Sequence, residues 1–181
     1  MTVAPGCTVL LGGARSGKSD LAVRLGRAWV GTVHVVATAE ALDDDMAARI
    51  ARHRADRPVE WRLTEAPVEV EPAVSAVDRD ALAIVDCLTL WVANLVGLGF
   101  EDDVILARAS VFAAIAAART GPTIVVTNEV GLGVHPATQL GSRYRDLLGR
   151  VNMIVVARAA RSLLLVGGQA VVLKDPMKEL S

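Results

Sequence analysis

Aromatic side chains are scarce in this chain: three Trp, two Phe and one Tyr make up 3% of 181 residues. A basic excess is missing too, because 19 Lys and Arg stand against 20 Asp and Glu, for a net charge of −1. Proteins that grip nucleic acid carry a cationic stripe that releases counterions, often with rings on which bases stack. The sequence offers neither, so DNA and RNA are not expected as partners. Cysteine is limited to Cys7 and Cys87, both in or beside apolar runs, with no CxxC or Cys/His spacing. They read as buried, reduced thiols, which fits a cytoplasmic protein. The opening MTVAPGCTVLLGG has no basic stretch ahead of a long apolar core, so no secretory signal is expected. No apolar run approaches the ~18 uninterrupted residues of a spanning helix, the alanine-rich SVFAAIAAA included. Membrane insertion is therefore not expected.

What the chain does have is hydrophobic residues, 52% of the total, arranged in short β-branched runs that alternate with longer helical ones. The strand candidates are CTVLLG (7–12), TVHVVATA (32–39), ALAIVD (81–86), TIVVTN (123–128) and SLLLVG (162–167). The first four are almost continuously apolar, as strands covered on both faces of a parallel sheet must be. Helical runs separate them: SDLAVRLGRAW, DDMAARIARHR, VILARASVFAAIAAAR and QLGSRYRDLLGRVNMIVVARAAR. The expected fold is a doubly wound α/β domain with a mostly parallel sheet and helices on both faces. Near the end, Gly167-Gly168 between SLLLV and QAVVLK predicts a tight hairpin that adds an antiparallel edge. The stretch from Arg57 to Asp80 reads as irregular. With no repeat or linker, residues 1–181 are expected to form one domain.

The pattern Gly12-x4-Gly17-Lys18-Ser19 sits between a buried strand and an amphipathic helix, which is the setting of a phosphate-binding P-loop. Glycines let backbone N–H groups turn inward around phosphate oxygens, and the helix dipole adds to that field. Lys18 would reach the terminal phosphates, and the Ser19 hydroxyl would coordinate Mg²⁺. A nucleoside triphosphate site is the expectation. Asp86 closes the ALAIVD strand at its carboxyl end, where open α/β sheets bind ligands; it reads as a group near Mg²⁺ or nucleotide, or as a cap for CLTLWVANL. Asn128 and Glu129 end the next strand, where they face the ligand crevice or simply build a turn.

A second stretch, DDDMAARIARHRADRP, opens with an acidic N-cap cluster at Asp43 to Asp45. Met46 and Ile50 then supply a buried stripe, while Arg49, His53 and Arg57, four apart, share another face. That face sets one nucleophilic imidazole between two phosphate-gripping guanidiniums; a plain solvated helix face has the same spacing. His34 reads as a core residue of its strand, and His135 as a helix-entry residue.

GGARSGKS, VATAEALDDDMAARIARHRADRPVEW, VDCLTLWVANL and TNEVGLGVHP…RYRDLLGRVN, in that order over nearly the whole chain, resemble the bifunctional adenosylcobinamide kinase/adenosylcobinamide-phosphate guanylyltransferase family of cobalamin biosynthesis. The resemblance implies a RecA-like P-loop NTPase fold and a homotrimer. It implies phosphorylation of adenosylcobinamide by ATP or GTP, then transfer of GMP from GTP to the adenosylcobinamide phosphate through a guanylylated histidine, with Mg²⁺. His53 aligns with that histidine, beside Lys18 as the second catalytic residue. Nucleotide contacts would fall on Gly12, Gly13, Ala14, Arg15, Ser16, Gly17, Lys18 and Ser19, on Thr38, Ala39 and Glu40, on Arg54, Ala55, Asp56 and Arg57, and on Glu65 and Asp86. Ser19 and Asp86 would be the metal ligands. The chain departs from the family where Asp86 stands for a frequent Glu, His135 for a Val, and Met153 for a Gln. Two other readings share the P-loop: a kinase for another small alcohol with a structural His53, and a nucleotide-dependent regulatory or assembly protein.

Overall fold

The computed structural model describes residue 3 and residues 5–174. Seven strands form one sheet in the order β3-β2-β4-β5-β1-β6-β7. These are β1 (Cys7–Gly12), β2 (Val33–Ala37), β3 (Arg62–Glu65), β4 (Leu82–Asp86), β5 (Thr123–Val126), β6 (Arg161–Val166) and β7 (Gln169–Lys174). All pairings are parallel except β6 with β7, the hairpin anticipated around Gly167-Gly168.

Alternation along the strands divides the core in two. Leu10, Val35, Ile84 and Ile124 pack toward α1 (Lys18–Ala28), which presents Leu21, Ala22 and Leu25. Val9, Leu11, Val36, Val85 and Val125 point the other way, into a larger cluster with the remaining core helices. Those are α3 (Val70–Ser75), α4 (Leu88–Gly97), α5 (Asp102–Ala118) and α6 (Gln139–Arg158). On α5 the buried residues Ile105, Ala109, Phe112, Ala113 and Ala116 recur at helical spacing, so one stripe enters this cluster, against α6 and α3. Within α1, Gly26 is a requirement of packing: a Cβ there would run into the indole ring of Trp61.

Several expectations need correction. Helix α2 (Asp44–Ala55) buries none of its residues, so Met46 and Ile50 are a half-buried stripe and not part of the core. His34 is half-buried, not in the core, and its Nε2 meets Thr64 Oγ1 at 2.8 Å on the neighbouring edge strand. The stretch 57–80 contains β3 and α3. His135 lies in the loop ahead of α6, whose N-cap is Thr138.

Candidate active site

The chain leaves β1 at Gly12 and enters α1 at Lys18 through five residues. Gly17 caps the helix with φ 96° and ψ 11°, a left-handed conformation that costs a glycine nothing and lets the following amides face the loop's interior. Lys18 is buried, and its Nζ donates to Gly13 O at 2.6 Å and to Ser16 Oγ at 3.2 Å. Burial pulls its ammonium below the usual lysine range, helped by the nearby Arg49 charge and opposed by Asp86. The hairpin turn braces the loop from beneath, with Gly168 N donating to Ser16 O at 3.1 Å.

The loop rims a cleft of about 470 Å³, well within the size of ligand sites. Opposite stands α2, capped by Asp43, whose Oδ1 accepts from Met46 N at 2.7 Å. From α2 the side chains of Arg49, Arg52 and His53 border the cleft, joined by Asp56 just past the helix. Asp86 and Asn128 close it at the strand ends. Asp86 does not cap α4, where Cys87 is the N-cap. Its Oδ2 instead accepts from Arg57 Nη2 at 2.8 Å and lies 3.6 Å from His53 Nδ1. Burial pushes the Asp86 carboxyl up, but the His53 contact and the Arg57 charge outweigh it and hold it below the ordinary carboxylate range.

Other residues singled out from the sequence fall elsewhere. Ala39, Arg54, Arg57 and Glu65 border a smaller cavity of about 50 Å³, which Met46, Ile50 and Leu63 line with apolar surface. There Arg54 Nη2 donates to Glu65 Oε1 at 2.8 Å on the exposed rim. His53 and Asp86 border both cavities. Thr38 lines neither: it is buried, donating to Cys87 O at 2.7 Å and accepting from Cys87 N at 2.8 Å, so it clasps the ends of β2 and β4. Glu40 is exposed beyond it, and Ala55 is exposed at the end of α2. Arg52 was not foreseen, although its spacing of three from Arg49 was the available signal.

The architecture is that of RecA-like P-loop nucleotide-binding proteins. The flagellar accessory protein FlaH from Methanocaldococcus jannaschii superposes with a TM-score of 0.53 at 17% identity, over 95% of this chain and 79% of that one. The RadB recombinase does so at 0.53 and 19% identity, over 90% and 75%. At those identities the likeness speaks for the fold. The chain belongs to the cobinamide kinase / cobinamide phosphate guanyltransferase family, whose model matches residues 8–173. It is 38% identical over 167 residues to the bifunctional adenosylcobalamin biosynthesis protein CobP of Pseudomonas aeruginosa, covering 92% of this chain and 96% of that protein. It is 37% identical to CobU of Salmonella typhimurium, which carries the same description, over 92% and 98%.

Proposed function

We propose that this chain, as one catalytic domain, phosphorylates adenosylcobinamide with ATP or GTP. It then transfers GMP from GTP to the resulting phosphate through guanylylated His53, releasing pyrophosphate and yielding adenosylcobinamide-GDP. The observation that carries this reading is the sharing of one cleft by His53 and the phosphate loop, with His53 Nδ1 turned toward Asp86. A carboxylate on Nδ1 fixes the tautomer that leaves Nε2 as the nucleophile.

His53 Nε2 attacks the α-phosphorus; a P–N bond forms, and the bond to the bridging oxygen of pyrophosphate breaks. Loop amides and Lys18 take up the charge on the leaving group, Lys18 exchanging Gly13 O for phosphate. An oxygen of the corrinoid phosphate then attacks the same phosphorus and displaces His53. Both displacements run in line, so the second acceptor enters the space that pyrophosphate vacates, and the loop serves it as well. Mg²⁺ fits Ser19, whose hydroxyl has no partner among the described residues, and Asp86, which uses only Oδ2 for Arg57 and His53. There the ion would supply further neutralisation of phosphate charge.

We extend the reading to a homotrimer in the cytoplasm. The exposed Val171, Val172 and Leu173 of β7 offer apolar surface for subunit contact, and Cys7 and Cys87 are free thiols. No helix of the described residues is long and apolar enough to cross a membrane.

The test is incubation with Mg²⁺ and GTP labelled at the α-phosphate, alongside His53→Ala. An acid-labile, base-stable protein label absent from the variant supports the guanylyl-histidine. No label on either protein, despite GTP binding, overturns it.

A further inference from the structure

A buried polar network converges on the backbone around Asn128, two residues past β5. Thr89 Oγ1 of α4 accepts from Asn128 N at 2.7 Å, and Asn152 Nδ2 of α6 donates to Asn128 O at 2.9 Å. Asn152 Oδ1 in turn accepts from Thr127 Oγ1 at 2.7 Å, while Tyr144 Oη steadies Thr89 by donating to its carbonyl at 3.0 Å. Thr89, Thr127 and Asn152 are 8%, 0% and 4% exposed, so three side chains are desolvated for this purpose. On the other side the segment is tied to β1 and the phosphate loop. Thr127 N donates to Leu10 O and Glu129 N to Gly12 O, each at 3.0 Å.

Buried polar networks add little net stability compared with apolar packing, but they hold geometry closely when every member is satisfied. What this one holds is residue 128, at the end of the strand between Asp86 on β4 and Gly12 on β1. The Asn128 side chain takes no part in the network. Its amide has no hydrogen-bond partner among the described residues, and it lines the 470 Å³ cleft beside the phosphate loop. A rigidly mounted, unpaired amide at that place suits a ligand with both an acceptor and a donor. An anionic side chain would not serve, because it would repel phosphate.

Building on the kinase activity proposed above, we propose that Asn128 is a catalytic residue of the phosphoryl-transfer step. Nδ2 donates to a non-bridging oxygen of the γ-phosphoryl group, and Oδ1 accepts the hydroxyl hydrogen of the acceptor alcohol, which sets the alcohol in line with the γ-phosphorus. The alcohol oxygen bonds to that phosphorus, the bond to the β–γ bridging oxygen breaks, and the nucleoside diphosphate departs. The hydroxyl proton moves to a non-bridging oxygen of the transferred group and then to solvent; the amide exchanges no proton. During guanylylation the reacting centre is the α-phosphorus and the nucleophile is His53, so the amide's contact changes little along that reaction.

The experiment measures both activities in Asn128→Ala and Asn128→Asp: transfer from γ-labelled ATP to cobinamide, and labelling of the protein by α-labelled GTP. Loss of one preorganised donor predicts a kcat for phosphoryl transfer lower by about 100-fold in the Ala variant, with KM for ATP changed far less. The Asp variant is slower still, because it places a charge against the γ-phosphoryl group. Guanylylation falls by less than about fivefold in the Ala variant, which also shows that the variant folds and binds nucleotide. Equal losses in both activities, or a rise confined to KM, make Asn128 a structural residue and overturn the proposal. So does undiminished phosphoryl transfer. A wild-type protein that labels with GTP yet never phosphorylates cobinamide removes the kinase reading itself, and this proposal with it.

Discussion

Asp86 Oδ2 stands 3.6 Å from His53 Nδ1 while accepting a hydrogen bond from Arg57. A strand end thus faces a side chain from a helix that buries nothing of its own, and its carboxylate is placed to orient the ring. Asp86→Asn keeps the size and removes the charge. Guanylylation in a single turnover with excess labelled GTP should fall by about 100-fold. Asp86→Glu should recover part of the loss. An unaltered rate in the Asn variant would show that the carboxylate does not position the ring.

Arg49 and Arg52 face the cleft from the same helix, opposite the phosphate loop. Charge-assisted hydrogen bonds from guanidinium to phosphate are among the stronger polar contacts. Replacing either residue by Gln should raise the Kd for GTP by about tenfold and flatten its dependence on salt. Titrations at low and high ionic strength check both effects, and equal affinities would place the arginines outside the nucleotide's reach.

Arg119 closes α5 by donating to four backbone carbonyls, those of Val74, Val77, Asp78 and Ala81, at 2.8–3.3 Å. These acceptors run from the last turn of α3 to the residue before β4, and none of them lines the cleft. Arg119→Ala should destabilise the protein by about 2–3 kcal/mol, since acceptors would lose their partner together. Lys, with one ammonium, should restore only a fraction. Denaturant midpoints give the measurement, and residual activity at low temperature should be unaffected.

The His34 imidazole is held below its ordinary value of 6.5 by burial first, with Arg62 and Arg119 adding repulsion that Asp78 partly offsets. The folded protein therefore binds this proton less readily than the unfolded chain does. Its contribution to stability is complete above pH 6.5 and declines as pH falls through that value, until the folded-state value is passed. Unfolding curves at pH 7.5 and 5.5 should differ less for His34→Gln than for the parent. An identical difference would mean that other groups govern the slope.

The inner strands were legible because β1, β4 and β5 are covered on both faces and so had to be nearly continuous runs of apolar residues. The strand β3 was not, because an edge strand reading RLTE, with its side chains exposed or half-buried, has no such constraint. Helix α2 misled for the converse reason: Met46 and Ile50 have core-like spacing but cover a small cleft and not the sheet. The phosphate loop could be recognised since its chemistry is written in consecutive residues. The clasp of Thr38 on Cys87 could not, because its partners are 49 residues apart. Asn128 looked equally like turn chemistry until the network behind it was visible.

The brace from Gly168 to Ser16 links the first functional segment of the chain to one of its last elements. During synthesis the glycine loop leaves the ribosome early, with about 150 residues still to be added before its support exists. The loop's full support is therefore gained near the end of translation. A nascent or clipped chain lacking the hairpin would carry the motif without this brace.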